Sequence, residues 1–233
     1  MKVGILKTDA VKPDLAAEFG EYPDMFANVL LAVEPNLRLV TYEVVDGEYP
    51  ADLDEVDAYI ITGSKLSVYD DVPWVKQLKG FVVQLHETKK KLIGICFGHQ
   101  MVAEALGGKT LPADSGWCVG VHAIEPTEDA TRYGLSPSTI RLRSNHRDQV
   151  VTLPAGGKLL ASAEACPIAS IGLDDHILTF QGHPEFSEGY ARALLNMRRD
   201  ILGEELYQTA IRSLETETDN LQVARYIVDF ISR

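Results

Sequence analysis

GICFGHQ, residues Gly94 to Gln100, follows the apolar run Leu92 to Ile95 and leads into the helical pattern QMVAEAL. A short strand, apolar throughout as a parallel strand buried on both faces should be, therefore ends at Cys96, and a helix begins just after it. A residue on so sharp a strand-to-helix turn sits in strained backbone geometry, so the positions two before and two after it must be small. Gly94 and Gly98 meet that requirement. Such a helix aims its unpaired N–H groups and positive dipole end at the sulfur, which favours a thiolate and leaves the Phe97 N–H free to receive an oxyanion. A cysteine alone reads most simply as a small buried hydrophobe. The two glycines at these offsets shift the reading toward a nucleophile on an elbow.

Outward from the elbow, β-rich runs alternate with amphipathic helical ones: Lys2 to Leu6, Pro23 to Glu34, Leu37 to Val44 and Ala58 to Ile61. That is a βαβ rhythm. Val75, Leu78, Val82 and Leu85 recur at helical spacing and predict a helix over Pro73 to Lys90, with lysines at its end to suit the dipole. From Lys109 to Leu173, strand-like segments punctuated by Gly116, Pro126, Pro137, Pro154 and Gly156-Gly157 predict a strand-rich excursion. Ile177 to Gln181 returns to buried-strand character. Glu188 to Arg233 reads as helical, with a break around Gly203 and a cap near Asp219. The expectation is an α/β fold with a mostly parallel central sheet flanked by helices. It forms one domain over residues 1–233, with 188–233 as a C-terminal helical accessory.

TFQGHPE, Thr179 to Glu185, places His183 just beyond a buried strand and holds it extended, because a residue before proline avoids the helical region. Glu185 projects to the same side two residues on, so its carboxylate can reach the imidazole nitrogen turned away from the sulfur. A carboxylate there fixes the tautomer and stabilises an imidazolium. A nucleophile needs a base and the base an orienter, and all three stand at the ends of predicted core strands.

Composition narrows the partners. Thirty-four acidic against 22 basic side chains give a net charge of -12, which repels nucleic acid and anionic lipid. The start, MKVGILKTDA, reads as a first strand, neither a signal peptide nor a membrane span. Cys96, Cys118 and Cys166 lack CxxC spacing, which argues against a disulfide framework or zinc cage and fits reduced thiols in a cytoplasm. Cys118 and His122 stand four apart, yet CVGVHAI alternates like a strand, so no metal is expected there. His86, His99, His122 and His176 have no convincing partners in the sequence.

GICFGHQ together with HPE resembles the class I, triad-type glutamine amidotransferase family, whose fold is a flavodoxin-like three-layer sandwich. ITGSK, Ile61 to Lys65, is similar to that family's oxyanion loop, and SNHRDQV, Ser144 to Val150, to its substrate-contacting segment. The resemblance implies Cys96 as nucleophile, His183 as acid and base, and Glu185 as orienter. It implies oxyanion donors at Gly63 or Ser64 and Phe97, and a glutamine head group held by Gln100, Asn145 and backbone around Arg147. Gln100 lies one helical turn beyond Cys96 and offers a donor and an acceptor. Asn145 and Asp148, expected in a loop, are equally readable as turn formers.

Within that family the chain most resembles stand-alone proteins related to the amidotransferase domain of GMP synthase, including in EFGEYPDMFANVLL, Glu18 to Leu31. Neither a GxxxxGKS run nor an SGGxDS-like loop occurs. The implied half-reaction is hydrolysis of the γ-carboxamide of glutamine through a γ-glutamyl thioester, without metal or cofactor, with ammonia passed to a separate synthetase partner. Hydrolysis of γ-glutamyl peptides is the alternative, and a non-catalytic regulatory or scaffold protein the alternative of another class.

Overall fold

Side-chain alternation gives each central strand two apolar faces, and the helices cover both. The computed structural model describes residues 1–233. Its first half runs β1 (Lys2–Lys7), α1 (Pro13–Phe19), α2 (Tyr22–Leu31), β2 (Arg38–Glu43), β3 (Ala58–Ile61), α3 (Pro73–Glu87), β4 (Lys91–Ile95) and α4 (Phe97–Ala105). The excursion then contributes β5 (Lys109–Pro112), β6 (Cys118–Pro126), β7 (Ile140–His146), β8 (Asp148–Thr152), β9 (Lys158–Ala163) and β10 (Cys166–Leu173). The chain finishes with β11 (Ile177–Phe180), α5 (Glu188–Leu202), α6 (Glu204–Ser213) and α7 (Asn220–Ile231).

Nine strands form one sheet in the order β2-β1-β3-β4-β11-β10-β9-β6-β7, while β5 pairs with β8 apart from it. Pairings from β2 through to β11 are parallel, as crossover helices require, and those from β11 to β7 are antiparallel. Val3, Ile5, Ile60, Ile93 and Ile95 face Phe26 and Leu30 of α2 and Ile227 of α7. Leu6, Tyr59, Ile61 and Leu92 face the other way, against Leu78 and Val82 of α3 and Met101 and Val102 of α4. The result is the expected α/β sandwich. No helix is long and apolar enough to cross a membrane.

The C-terminal helices share this core. Val223, Ala224, Ile227 and Phe230 of α7 belong to the largest apolar cluster, and α5 and α6 close over Val119 of β6 through Leu195, Ala210 and Leu214. The region expected as an accessory is thus integral to the sandwich. The chain breaks at Gly203 as predicted, with φ 75°. Asp219 does stand at the start of α7, but its carboxylate accepts from the Arg141 N–H at 2.7 Å and makes no cap bond to the helix. It ties α7 to β7.

Register decides where the site falls. Leu6, Ile61, Gly94 and Thr179 stand side by side on neighbouring parallel strands. The segments that leave β3, β4 and β11 therefore emerge together at one edge of the sheet, which brings residues 62–65, 96 and 181–185 into contact range. Ligands gather at such carboxyl ends.

Candidate active site

Cys96 joins β4 to α4 with φ 53° and ψ -100°, a conformation a non-glycine residue rarely adopts. The crowding that the elbow imposes is measurable. A Cβ on Gly94 would lie 2.5 Å from the Gly98 carbonyl oxygen, and one on Gly98 would lie 2.5 Å from that of Ile61. Only hydrogen fits at either place. The Cys96 N–H donates to the Phe180 carbonyl at 2.9 Å, which ties the elbow to the strand that leads to His183.

His183 and Glu185 are both buried, with 2.7 Å between Nδ1 and Oε1. Burial alone would depress the imidazole. The Glu185 carboxylate and Cys96, through charge and hydrogen bonding, outweigh it and raise His183 to about 10. The ring stacks on Phe186 at 3.8 Å between centroids, and its backbone N–H donates to the Arg143 carbonyl at 2.8 Å. Arg143 reinforces that loop from the other side, because its Nη1 donates to the Phe186 carbonyl at 2.9 Å and to Thr218 Oγ1 at 2.8 Å. His183 and Cys96 both border one hollow, with Glu185 behind the imidazole. Such a set can deliver a nucleophile and a proton to the same carbonyl compound.

Gly63 and Ser64 follow β3 directly. A Cβ on Gly63 would lie 3.1 Å from His183 Cε1 and 3.8 Å from Cys96 Cβ, so the loop's backbone passes against both residues. Its carbonyl is turned inward, where it accepts from Thr8 Oγ1 at 2.8 Å, and neither the Gly63 nor the Ser64 N–H has an acceptor in the protein. Phe97 is the first residue of α4, so its N–H lies outside the helical ladder.

The expected substrate contacts need correction in detail. Gln100 lines the site, but its Nε2 donates to the Asp148 carbonyl at 2.7 Å and to Gln181 Oε1 at 3.1 Å, which commits both amide hydrogens and leaves Oε1. Asn145 stands in β7 rather than in a loop, opposite Val119, and its Oδ1 accepts from Arg198 Nη1 at 2.6 Å. Asp148 begins β8 and receives the Ser67 hydroxyl. Arg147 lies between the two strands, and its carbonyl accepts from the Ala113 N–H at 2.9 Å.

Comparison with known proteins gives the family. The family described as glutamine amidotransferase class-I matches residues 21–198. A glutamine amidotransferase-like protein of Schizosaccharomyces pombe is 33% identical over 243 residues, covering 98% of each chain. The chain belongs to the class I glutamine amidotransferase family. Gamma-glutamyl peptidase 3 of Arabidopsis thaliana is 32% identical over 187 residues, covering 75% of this chain and 74% of that protein. The crystal structure of a glutamine amidotransferase from Thermotoga maritima shares the fold, with TM-score 0.75 at 18% identity over 99% of this chain and 96% of the other.

In this amidotransferase-family chain two hollows meet at Cys96. One, of about 260 Å³, runs past Gln100, Asn145, Arg147 and Trp117. The other, of about 140 Å³, runs past His183 toward Phe186, Tyr190, Leu194 and Met197. Ser64, Lys65, Asn145 and Arg198 border both. Arg198 is the residue that sequence reading missed, and its signal lay in plain spacing: Tyr190, Leu194 and Arg198 recur every four residues along α5. The histidines have partners too. His99 meets Thr179 Oγ1 at 2.8 Å, His122 meets the Val119 carbonyl at 3.0 Å, and His86 meets His176 at 3.0 Å. The last pair converges with Asp174, which Lys89 engages in an ion pair at 2.6 Å.

Proposed function

We propose that this chain hydrolyses γ-glutamyl amide bonds, with Cys96 as nucleophile, His183 as acid and base, and Glu185 holding the imidazole. Cys96 at the junction of two hollows, with His183 bordering one of them and held by Glu185 at 2.7 Å, carries this reading. The sulfur attacks the amide carbon, and the oxyanion is received by N–H groups of Gly63 or Ser64 and of Phe97. His183, raised toward the imidazolium by Glu185 and Cys96, gives its proton to the departing nitrogen. A γ-glutamyl thioester remains. Water then attacks it while neutral His183 takes the proton, and glutamate leaves with the thiolate–imidazolium pair restored.

The leaving group on this reading is larger than ammonia. His183 must stand beside the departing nitrogen, and of the two hollows it borders the one toward Phe186 and Tyr190. At about 140 Å³ that space is several times the roughly 30 Å³ of a water-sized molecule. A substituted amide such as a γ-glutamyl peptide therefore fits it better than free glutamine, in keeping with the named activity of the Arabidopsis relative. Steady-state kcat/KM for glutamine and for a γ-glutamyl dipeptide on one preparation tests this. A clear advantage for the dipeptide is expected. Preference for glutamine would restore the glutaminase that supplies ammonia to a synthetase, and no turnover of either would overturn the hydrolase reading.

A further inference from the structure

We infer that Arg198 is the receptor for a carboxylate carried by the substrate, an inference that rests on the γ-glutamyl hydrolase reading of this site. Helix α5 carries Arg192, Arg198 and Arg199, and their surroundings differ. Arg192 pairs with Glu188 at 2.8 Å and Arg199 with Glu204 at 2.7 Å, both in solvent. Arg198, turned inward on the stripe of Tyr190 and Leu194, has no carboxylate within 4.0 Å. Of the acids that share a hollow with it, Asp9 is engaged by Lys65 at 2.9 Å and Asp148 accepts the Ser67 hydroxyl. In a chain of net charge -12, a half-buried cation beside the nucleophile without an acidic partner is an electrostatic gap that a bound anion would close.

The guanidinium is also pre-positioned. It lies over the Trp117 ring at 4.7 Å, and of its five N–H donors only Nη1 has a protein acceptor, Asn145 Oδ1 at 2.6 Å. With the plane held on two sides, a carboxylate arriving in either hollow meets a fork whose geometry matches its two oxygens and which loses little freedom on binding. Burial pulls Arg198 down from the usual arginine range, the direction expected of a cation that has shed water without gaining an anion. Two carboxylates share this chemistry: the one on the glutamyl Cα, and the one on the residue that leaves.

Three substrates separate them: γ-glutamylglycine, its analogue with the glutamyl α-carboxylate converted to an amide, and γ-glutamyl methylamide, which lacks the leaving carboxylate. For γ-glutamylglycine, Arg198→Met should raise KM by about 10- to 100-fold, the range for a charge-assisted hydrogen-bonded pair, with kcat little changed and Arg198→Lys recovering part of the loss. On the substrate that lacks the carboxylate Arg198 reads, the same replacement should add little. Loss of the effect with the α-amide assigns the glutamyl end, and loss with the methylamide assigns the leaving residue. An equal penalty on all three, or a fall in kcat at constant KM, would overturn the inference in favour of a role through Trp117 and Asn145. Calorimetric titration of Cys96→Ser protein with γ-glutamylglycine, with and without Arg198→Met, keeps this apart from the hydrolase reading. The same loss in affinity is expected whether or not the wild type turns over, and equal affinities, or no binding by either protein, would refute it.

Discussion

Acid should unfold this protein earlier than its carboxylates alone would allow, because buried histidines are held neutral, His99 and His146 most strongly and His176, lowered to about 4, after them. His99 is 0% exposed, with Nδ1 2.8 Å from Thr179 Oγ1 and Nε2 3.1 Å from the Ile168 carbonyl. His146 is 4% exposed beside Asp148. Burial pushes both down to about 3, against about 6.5 for an unfolded chain. Below pH 6.5 the unfolded state binds protons that the folded state refuses, so stability present above that pH drains away as pH falls. Each group costs about 1.4 kcal/mol per pH unit, hence about 2 kcal/mol at pH 5 and about 4 kcal/mol for the pair. That is a large fraction of the 5–15 kcal/mol typical of a domain. His183 acts in the opposite sense. Its raised value contributes stability that is full below pH 6.5 and lost as pH rises toward 10, so it offsets about 1 kcal/mol of the loss between pH 7.5 and 6.5 and adds nothing further below that. Urea unfolding followed by fluorescence at pH 7.5, 6.0 and 5.0 measures the slope. His99→Gln should be less stable at pH 7.5 yet show a slope shallower by about one proton. A wild-type loss below about 1 kcal/mol between pH 7.5 and 5.0, or an unchanged slope in the variant, would refute the reasoning.

A glutamine-like electrophile should modify Cys96 and spare Cys118 and Cys166, which burial pushes up to about 11 and about 12; peptide mass mapping reads this out, and equal labelling of all three would remove Cys96 as nucleophile. His183→Ala should abolish nearly all turnover and Glu185→Gln less, with the double variant no worse than His183→Ala, since Glu185 acts through the imidazole. kcat/KM should hold through neutral pH and fall on the alkaline side as His183 loses the proton it donates, near pH 10; a flat alkaline limb would assign the proton to another group. Gly98→Ala should cost at least about 1–3 kcal/mol and most of the activity, because its Cβ would meet the Ile61 carbonyl at 2.5 Å; full stability in denaturant would show that the elbow can relax.

The residues that shape the backbone were legible in the sequence. Gly94 and Gly98 around Cys96, His183 before a proline, and the alternation of β-rich runs with helices all report local geometry, and the structure places each as read. What stayed hidden depends on partners distant in the chain. Gln100 looked free to meet a substrate until Asp148 and Gln181 took its amide, and His86 and His176 looked unpartnered although 90 residues of chain fold back to join them. The helices after Glu188 read as an appendage because amphipathic spacing shows that a face is buried but not against what. Arg198 carries the same ambiguity at single-residue scale, since a helical arginine is written alike whether it pairs in solvent, as Arg199 does, or turns inward toward the hollows at Cys96. Sequence alone determined the strand, turn and helix around Cys96, because steric limits on a backbone act within a few residues. Only the tertiary structure decided which side chains remain free to meet a substrate, because hydrogen-bond partners are allotted by sheet register and helix packing across the whole chain.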